Sequence, residues 1–147
     1  MSIINVVGAK IWGGGEQYVY DICKQLQQRH RTAYILVDQS NEDMQSRYAQ
    51  VGHVMTANLY TLKGFLSVNA VAKQVKAQGI DTIVCHSGKY ILFCIVLKQL
   101  TGAKLVFIKH NLVPGKTDMY HRWINAQVDA FVCVSKLVYD DLMTPVI

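Results

Sequence analysis

DTIVCHSGKYILFCIVLKQLTGAKLVFIKH, residues 81–110, contains three apolar segments in succession. The first and third, DTIVCHS and AKLVFIKH, are short continuous apolar runs, which predicts strands buried on both faces. The middle segment, GKYILFCIVLKQLTG, is longer, nearly all apolar and ends close to Gly102, which predicts a buried helix. Strand, helix and strand in this order form the unit from which parallel sheets are built.

The rest of the chain repeats this alternation. Further strands are predicted at SIINVVGA, TAYILVD, HVMTANL and DAFVCVS, and further helices at EQYVYDICKQLQQRH, NEDMQSRYAQ, FLSVNAVAKQVKAQG, MYHRWINAQ and KLVYDDLM. Gly79 is expected to cap the helix FLSVNAVAKQVKAQG. The expected fold class is α/β, a Rossmann-like doubly wound parallel sheet with helices on both faces.

Length and composition predict a single domain over residues 1–147. The chain has 147 residues, of which 51% are hydrophobic, enough for one substantial core. The N-terminus lacks the features of a signal peptide and no run of eighteen apolar residues occurs, so a cytoplasmic protein is expected. The four cysteines lie far apart in apolar segments, which favours reduced core thiols over disulfides or zinc ligands. They are Cys23, Cys85, Cys94 and Cys133.

The positive charge is unevenly distributed. The net charge is +5, and residues 82–117 carry five lysines with no Asp or Glu. One interpretation is that this stretch faces an anionic substrate or an anionic lipid surface. The other is that the lysines are scattered over solvated helix faces, as charged residues usually are.

The segment AKIWGGGEQYVYDI, residues 9–22, places three consecutive glycines where a strand passes into a helix. The spacing GxGxxG of a dinucleotide site and the GxxxxGK of a P-loop are both absent. Glycine lets the backbone approach a ligand, and free amides at a helix start near Glu16 favour an anion such as phosphate. A flexible connection without a ligand is the alternative.

Two histidines are predicted at the same edge of the sheet as these glycines. His86 and His110 each end a predicted parallel strand, where an imidazole can act as a general base or hydrogen-bond a phosphate. A structural histidine is the alternative for each. His30, His53 and His121 are interpreted as surface or structural residues.

Four segments together resemble the N-terminal domain of GT-B-type glycosyltransferases, in particular the retaining family four. GGGEQYVYDICKQL is similar to that family's opening loop and helix, and DTIVCHS to its fourth strand. KLVFIKHN is similar to the fifth strand with its terminal histidine, and VDAFVCVSKLVYDDL to the sixth strand and the helix after it. The resemblance implies one half of a GT-B fold, whose second domain, with its pair of glutamates for the nucleotide sugar, is absent from this chain.

The resemblance also implies a function. A hexosyltransferase is expected, which moves a sugar from a nucleotide-sugar donor to a glycan or lipid-linked acceptor in lipopolysaccharide, capsule or similar polysaccharide synthesis. This domain would supply the acceptor side and be inactive alone, without cofactor, metal or nucleic acid, in the cytoplasm and at the inner face of the cell membrane. The expected catalytic residue is His110, and the expected substrate-binding residues are Gly13, Gly14, Gly15, Glu16, His86, Lys109, Asn111 and Ser135.

Ser135 can also cap the helix that it opens, and the capping role is favoured over the ligand role. Two other classes of function stay open at this point. One is a Rossmann-like domain that binds NAD, with Asp38 on the ribose. The other is an interaction module in which the histidines are structural.

Overall fold

Strands and helices alternate throughout the residues that the computed structural model describes, which are 2–60, 65–109 and 119–133. The strands are β1 (Ile3–Val7), β2 (Tyr34–Asp38), β3 (His53–Ala57), β4 (Thr82–Cys85), β5 (Lys104–Lys109) and β6 (Ala130–Cys133). The helices are α1 (Gly14–Gln28), α2 (Glu42–Ala49), α3 (Phe65–Ala77), α4 (Ile91–Thr101) and α5 (Met119–Gln127). A short 3-10 turn, Gly88–Tyr90, precedes α4.

The six strands form one sheet in the order β3-β2-β1-β4-β5-β6, with every neighbouring pair parallel. The chain builds outward from β1 to β3, then returns and builds from β4 to β6 on the other side. The order therefore reverses between β1 and β4. This is the predicted doubly wound parallel sheet, and that prediction is confirmed.

Two separate cores lie on the two faces of the sheet. Alternate side chains of a strand point to opposite faces, so Ile4 and Val6 of β1 join the core under α3 and α4. Val7 joins the second core, which packs α1 and α2 through Val19 and Tyr48. Full burial of an aliphatic side chain stabilises the fold by roughly 1.5–3 kcal/mol, and both cores consist largely of such side chains.

Glycines end two of the helices as predicted. Gly102 follows α4 with a φ of 74° and donates its amide to Lys98 O at 2.8 Å. Gly79 has a φ of 68°, and its amide bonds Lys76 O at 3.1 Å while the next residue's amide bonds Val75 O at 3.0 Å. These two hydrogen bonds form a Schellman motif, in which glycine avoids the steric cost of the left-handed backbone.

Helix α1 ends in the same way without a glycine. His30 has a φ of 58° and donates its amide to Gln27 O at 3.0 Å, and Arg31 donates to Leu26 O at 2.9 Å. His30 thus occupies the position that Gly79 occupies after α3. Its backbone has a structural task that the sequence pattern did not indicate.

Some predicted segments differ or lie elsewhere. Helix α1 begins at Gly14, two residues before Glu16, so two of the three glycines belong to its first turn. Cys23, Cys85 and Cys94 are buried free thiols as predicted, and burial raises the pKa of Cys23 to about 11. The predicted helix KLVYDDLM and the side chain of Cys133 lie outside the described residues.

Candidate functional site

A cleft of about 1000 Å³ opens at the carboxyl ends of β1 and β4. Doubly wound sheets bind ligands where their strand order reverses, which in this sheet is between these two strands. The cleft is lined by the β1–α1 loop, by residues at the ends of β2 and β3, and by the β4–α4 loop. Its lining residues with charged or imidazole side chains are Lys10, Glu16, Asp38, His86 and Lys89.

The glycine loop, residues 13–15, forms one wall of this cleft. Gly13 is the N-cap of α1 with an extended backbone, and no side chain caps the helix start. The first amides of the helix therefore lie beside the cleft with the positive end of the helix dipole. Glu16 is the acidic residue of the first turn, and its Oε2 would lie 3.6 Å from a Cβ added at Gly13.

The fold itself gives no reason for glycine at two of these positions. A Cβ at Gly14 would meet no atom within 4 Å, and one at Gly13 would meet only the Glu16 carboxylate at ordinary distance. Among the described glycines, a positive φ occurs at Gly79 and Gly102 and not in this loop. The space beside Gly13 and Gly14 is therefore open toward the cleft, and neither backbone strain nor packing requires glycine at these positions.

An aromatic cluster that the sequence did not reveal holds the base of the glycine loop. We call it the tryptophan clasp, formed by Trp12, Tyr20, Arg47 and Tyr48. The Trp12 ring centroid lies 5.2 Å from that of Tyr48 and 5.9 Å from that of Tyr20, and the Arg47 guanidinium carbon lies 4.7 Å from the Trp12 ring. Aromatic pairs and cation–π contacts of this kind each contribute about 0.5–1.5 kcal/mol beyond simple burial.

Helix α2 also holds the loop through hydrogen bonds. The Asn41 side chain caps α2 by accepting from Met44 N at 3.1 Å, and its Nδ2 donates to Ala9 O at 3.1 Å. The hydroxyl of buried Tyr48 donates to Glu16 O at 2.9 Å. The β1–α1 loop at Ala9 and the first turn of α1 at Glu16 are therefore both fixed to α2 and its cap, although α2 itself does not line the cleft.

His86 lies in the same cleft as the glycine loop, as the sequence predicted. It follows β4 directly, and its Nε2 lies 3.0 Å from Oδ1 of Asn5 in β1. The structure thus brings Gly13, Gly14, Gly15, Glu16 and His86 together. Their role as substrate ligands stays a prediction.

The remaining predicted site residues fall outside the described part of the chain. Lys109 is the last residue of β5, but its side chain lies outside the described residues. The same is true of His110, Asn111 and Ser135 in their entirety. Their assignment as catalytic and substrate-binding residues stays a prediction.

Two tyrosines complete the cleft and were not predicted. Tyr60 is 42% exposed, and its hydroxyl donates to the carbonyl of Gly8. Burial of the phenol raises the pKa of Tyr60, and the nearby charges of Asp38 and Glu16 raise it further. Tyr90 is buried below it, with the two rings edge to face at 6.2 Å. For each tyrosine, the sequence showed only an aromatic residue shortly after a predicted strand.

The lysines of residues 82–117 do not share one surface in the part of the chain that is described. Lys89 lines the cleft, whereas Lys98 bonds Asp129 at 3.1 Å and the carbonyl of Gln127 at 2.6 Å. Lys104 begins β5, at the sheet edge opposite the cleft. Of the two interpretations of this stretch, scattered lysines fit the described residues better.

No group of three or more His, Cys, Asp or Glu side chains that could hold a metal ion occurs among the described residues. Within those same ranges, no helix is both long and apolar enough to cross a membrane.

The strand order and the cleft at its reversal point define a Rossmann-like domain of the type that forms one half of a GT-B glycosyltransferase. The chain belongs to glycosyltransferase family 4, because the family model described as Glycosyltransferase Family 4 matches residues 12–145. The resemblance found in the sequence is therefore confirmed. No curated protein sequence matches the chain.

Solved structures share this fold at low sequence identity. A glycosyltransferase from Rickettsia africae is similar with a TM-score of 0.76 and 18% identity, over 97% of this chain and 38% of that one. Anabaena HepE in complex with UDP gives a TM-score of 0.72 and 16% identity, over 99% and 41%. The lipopolysaccharide outer core galactosyltransferase WaaB, in its apo form, gives 0.68 and 13%, over 100% and 43%. The chain thus spans about two fifths of the length of these proteins.

Proposed function

We propose that this chain is the acceptor-side domain of a glycosyltransferase that moves a hexose from a nucleotide-sugar donor to a glycan or lipid-linked acceptor. In this arrangement residues 1–147 form one domain, and a second Rossmann-like domain of the same protein faces the cleft and holds most of the donor. Membership of family 4 supports the reaction class. The greater length of the similar solved structures supports a second domain.

The observation that carries the proposal is the bare start of α1 behind glycines that the fold does not require. Gly13 and Gly14 leave open space where a side chain would stand, and the helix has no side-chain cap. Backbone amides in this arrangement favour a phosphate group. The Glu16 carboxylate already lies near this helix start, so the lysines of the cleft, Lys10 and Lys89, supply the positive charge that an anionic ligand needs.

The chemistry of sugar transfer suits such a site. When the bond to the nucleotide breaks, negative charge develops on the leaving phosphate and positive charge on the sugar ring. Fixed backbone amides near the leaving phosphate stabilise that charge without moving, because the tryptophan clasp and Asn41 already hold the loop. His110 is proposed to contact the reacting sugar.

The comparisons guide the choice of substrates to test. HepE is solved with UDP and with UDP-glucose, which supports a uridine nucleotide sugar as donor. WaaB acts on the lipopolysaccharide outer core, which supports a surface polysaccharide or its lipid-linked precursor as acceptor. Such acceptors would place the protein in the cytoplasm, at the inner face of the cell membrane.

The decisive experiment measures sugar transfer by the full-length protein with a panel of nucleotide sugars, and compares Gly14→Ala with Gly88→Ala. A Cβ at either position meets no atom within 4 Å, but only Gly14 lines the cleft. We expect Gly14→Ala to lower kcat/KM by about tenfold or more, a loss of roughly 1.4 kcal/mol in transition-state stabilisation. Gly88→Ala should leave turnover unchanged. Equal activities would contradict the role of the loop, and no transfer from any donor would contradict the proposed function.

Asp38, the acidic residue of the NAD interpretation, lines the cleft and also makes structural hydrogen bonds. Asp38 is 6% exposed, and its carboxylate accepts from Leu59 N at 3.0 Å, from Ser40 N at 3.2 Å and from the Ser40 hydroxyl. A carboxylate bonded in this way fixes the ends of β2 and β3 to each other.

A further inference from the structure

One residue of the central strand does not fit its surroundings. β1 has the sequence IINVV, and Asn5 at its middle is only 7% exposed. It lies in register between Ile35 of β2 and Val84 of β4. Burial of a carboxamide without a hydrogen-bond partner costs roughly 1–3 kcal/mol, and an aliphatic residue would fit this position of a parallel sheet better. The sheet does not require a polar side chain at this position, which indicates another role for Asn5.

One hydrogen-bond partner of Asn5 is the imidazole of His86, at the wall of the cleft. Oδ1 of Asn5 lies 3.0 Å from Nε2 of His86, although the two residues are 81 positions apart in the sequence. Val84 is paired with Asn5 and points to the same face of the sheet. His86 comes two residues after Val84 and therefore projects toward that face as well. The contact thus joins the core of the sheet directly to the predicted substrate-binding histidine.

The chemistry of this contact fixes the state of the ring. A carboxamide oxygen only accepts hydrogen bonds, so Nε2 must carry the proton. In the neutral ring the other nitrogen, Nδ1, is then unprotonated, and it can accept a hydrogen bond or a proton but cannot donate one.

We propose that Asn5 is a positioning residue, which holds the neutral His86 ring in its Nε2-protonated form at the wall of the cleft. In this form His86 cannot donate a hydrogen bond from Nδ1 to a phosphate oxygen. This assignment rests on the proposed function only in placing His86 at a substrate cleft.

The chain offers a matched control in Thr82 of β4. Thr82 is also 7% exposed and polar, but its hydroxyl donates to the carboxylate of Asp81 at 2.9 Å, at the sheet edge opposite the cleft. Asn5→Val and Thr82→Val both replace a buried polar side chain in a central strand with the same aliphatic one. Only the first removes the acceptor that faces His86.

The test is long-range proton–nitrogen NMR of the histidine rings in this chain, at about pH 8, above the ordinary pKa of histidine. His86→Gln identifies the His86 signals by their loss. The expected spectrum of the unmodified chain shows His86 protonated at Nε2. Asn5→Val should shift the ring toward a mixture of tautomers, whereas Asn5→Asp, which keeps an acceptor oxygen, and Thr82→Val should preserve the Nε2 signature.

Protonation at Nδ1 in the unmodified chain would overturn the proposal, and so would an unchanged tautomer in Asn5→Val. Because the first of these outcomes does not depend on Asn5→Val, a failure of that variant to fold does not remove the test. The spectrum reports the tautomer whatever the cleft binds. A protein that transfers no sugar would therefore refute the proposed function while the assignment of Asn5 stood or fell separately.

Discussion

Gly8 and Gly14 lie six residues apart on either side of the same loop, and they are glycines for opposite reasons. A Cβ at Gly8 would lie 2.7 Å from Cδ1 of the Tyr90 ring and 2.9 Å from Cδ1 of Leu59, so the protein itself fills the space. A Cβ at Gly14 would meet nothing within 4 Å. At Gly8 the fold excludes a side chain, whereas at Gly14 no neighbouring atom of the protein does.

Glycines that look identical in the sequence therefore have different structural reasons. Gly52 belongs with Gly8, because its Cβ would lie 2.6 Å from the backbone oxygen of Ala33. Gly79 and Gly102 form another class, in which the positive φ accounts for the residue. Gly13, Gly14 and Gly88 fit neither class, but of these three only Gly13 and Gly14 line the cleft, which is why a ligand is proposed for them and not for Gly88.

The largest effect is expected from Gly8→Ala. The added methyl would press into the ring of buried Tyr90, and overpacking of this kind costs about 1–3 kcal/mol. We expect a loss near the upper end, about 2–3 kcal/mol, because an aromatic ring enclosed in the core cannot rotate away. Urea unfolding measures the loss. Stability equal to that of the unmodified chain would remove the distinction between the two glycines.

The next effect is expected from Trp12→Ala, which opens the tryptophan clasp. The ring contacts with Tyr48, Tyr20 and Arg47 would be lost, for a cost of about 2 kcal/mol in a partly exposed position. Hydrogen exchange of the amides of residues 13–16 should also become faster. Trp12→Phe, which keeps an aromatic ring, should recover part of both effects. Unchanged exchange in Trp12→Ala would show that the clasp does not hold the loop.

A smaller gain is expected from His30→Gly, which supplies glycine at a position where the backbone calls for it. His30 has a φ of 58°, and a residue with a Cβ pays roughly 1–2 kcal/mol for that conformation. The greater freedom of glycine in the unfolded chain offsets part of the gain, so the net stabilisation should be about 0.5–1 kcal/mol. Thermal unfolding measures it. His30→Ala, which keeps a Cβ, should give no such gain.

The smallest effect on stability is expected from Gly14→Ala. Alanine has a higher helix propensity than glycine, and its methyl meets no neighbour, so stability should be unchanged or rise by up to about 0.5 kcal/mol at this first helical position. The same variant is expected to lose transfer activity in the full-length protein. A clear destabilisation would mean that the fold, and not a ligand, selects glycine here.

The sequence predicted the fold well because the relevant signals are local. Short apolar runs such as IVCHS and the longer run that forms α4 differ in length, and Gly79 and Gly102 mark helix ends by a backbone conformation that few other residues adopt. The start of α1 was placed two residues late, because glycine has a low helix propensity and conceals a first turn that continues from it.

The candidate site was predicted only in part, because its details depend on contacts between distant residues. The sheet edge correctly brought His86 together with the glycine loop. The contacts of Asn5 with His86, of Trp12 with Tyr48 and of Tyr60 with Gly8 join residues 36 to 81 positions apart, and the sequence showed no more than an asparagine in an apolar strand. His30 was interpreted only as a surface or structural residue, because a histidine gives no sign of a positive φ.

The tryptophan clasp also provides an intrinsic fluorescent probe of the cleft in solution. The chain has two tryptophans, of which Trp12 lines the cleft among two tyrosines and an arginine, whereas Trp123 lies on α5 and is 47% exposed. Trp123→Phe would leave Trp12 as a single intrinsic fluorophore beside the glycine loop. Its emission could then be followed as nucleotide sugars are added, without an attached dye and without waiting for turnover.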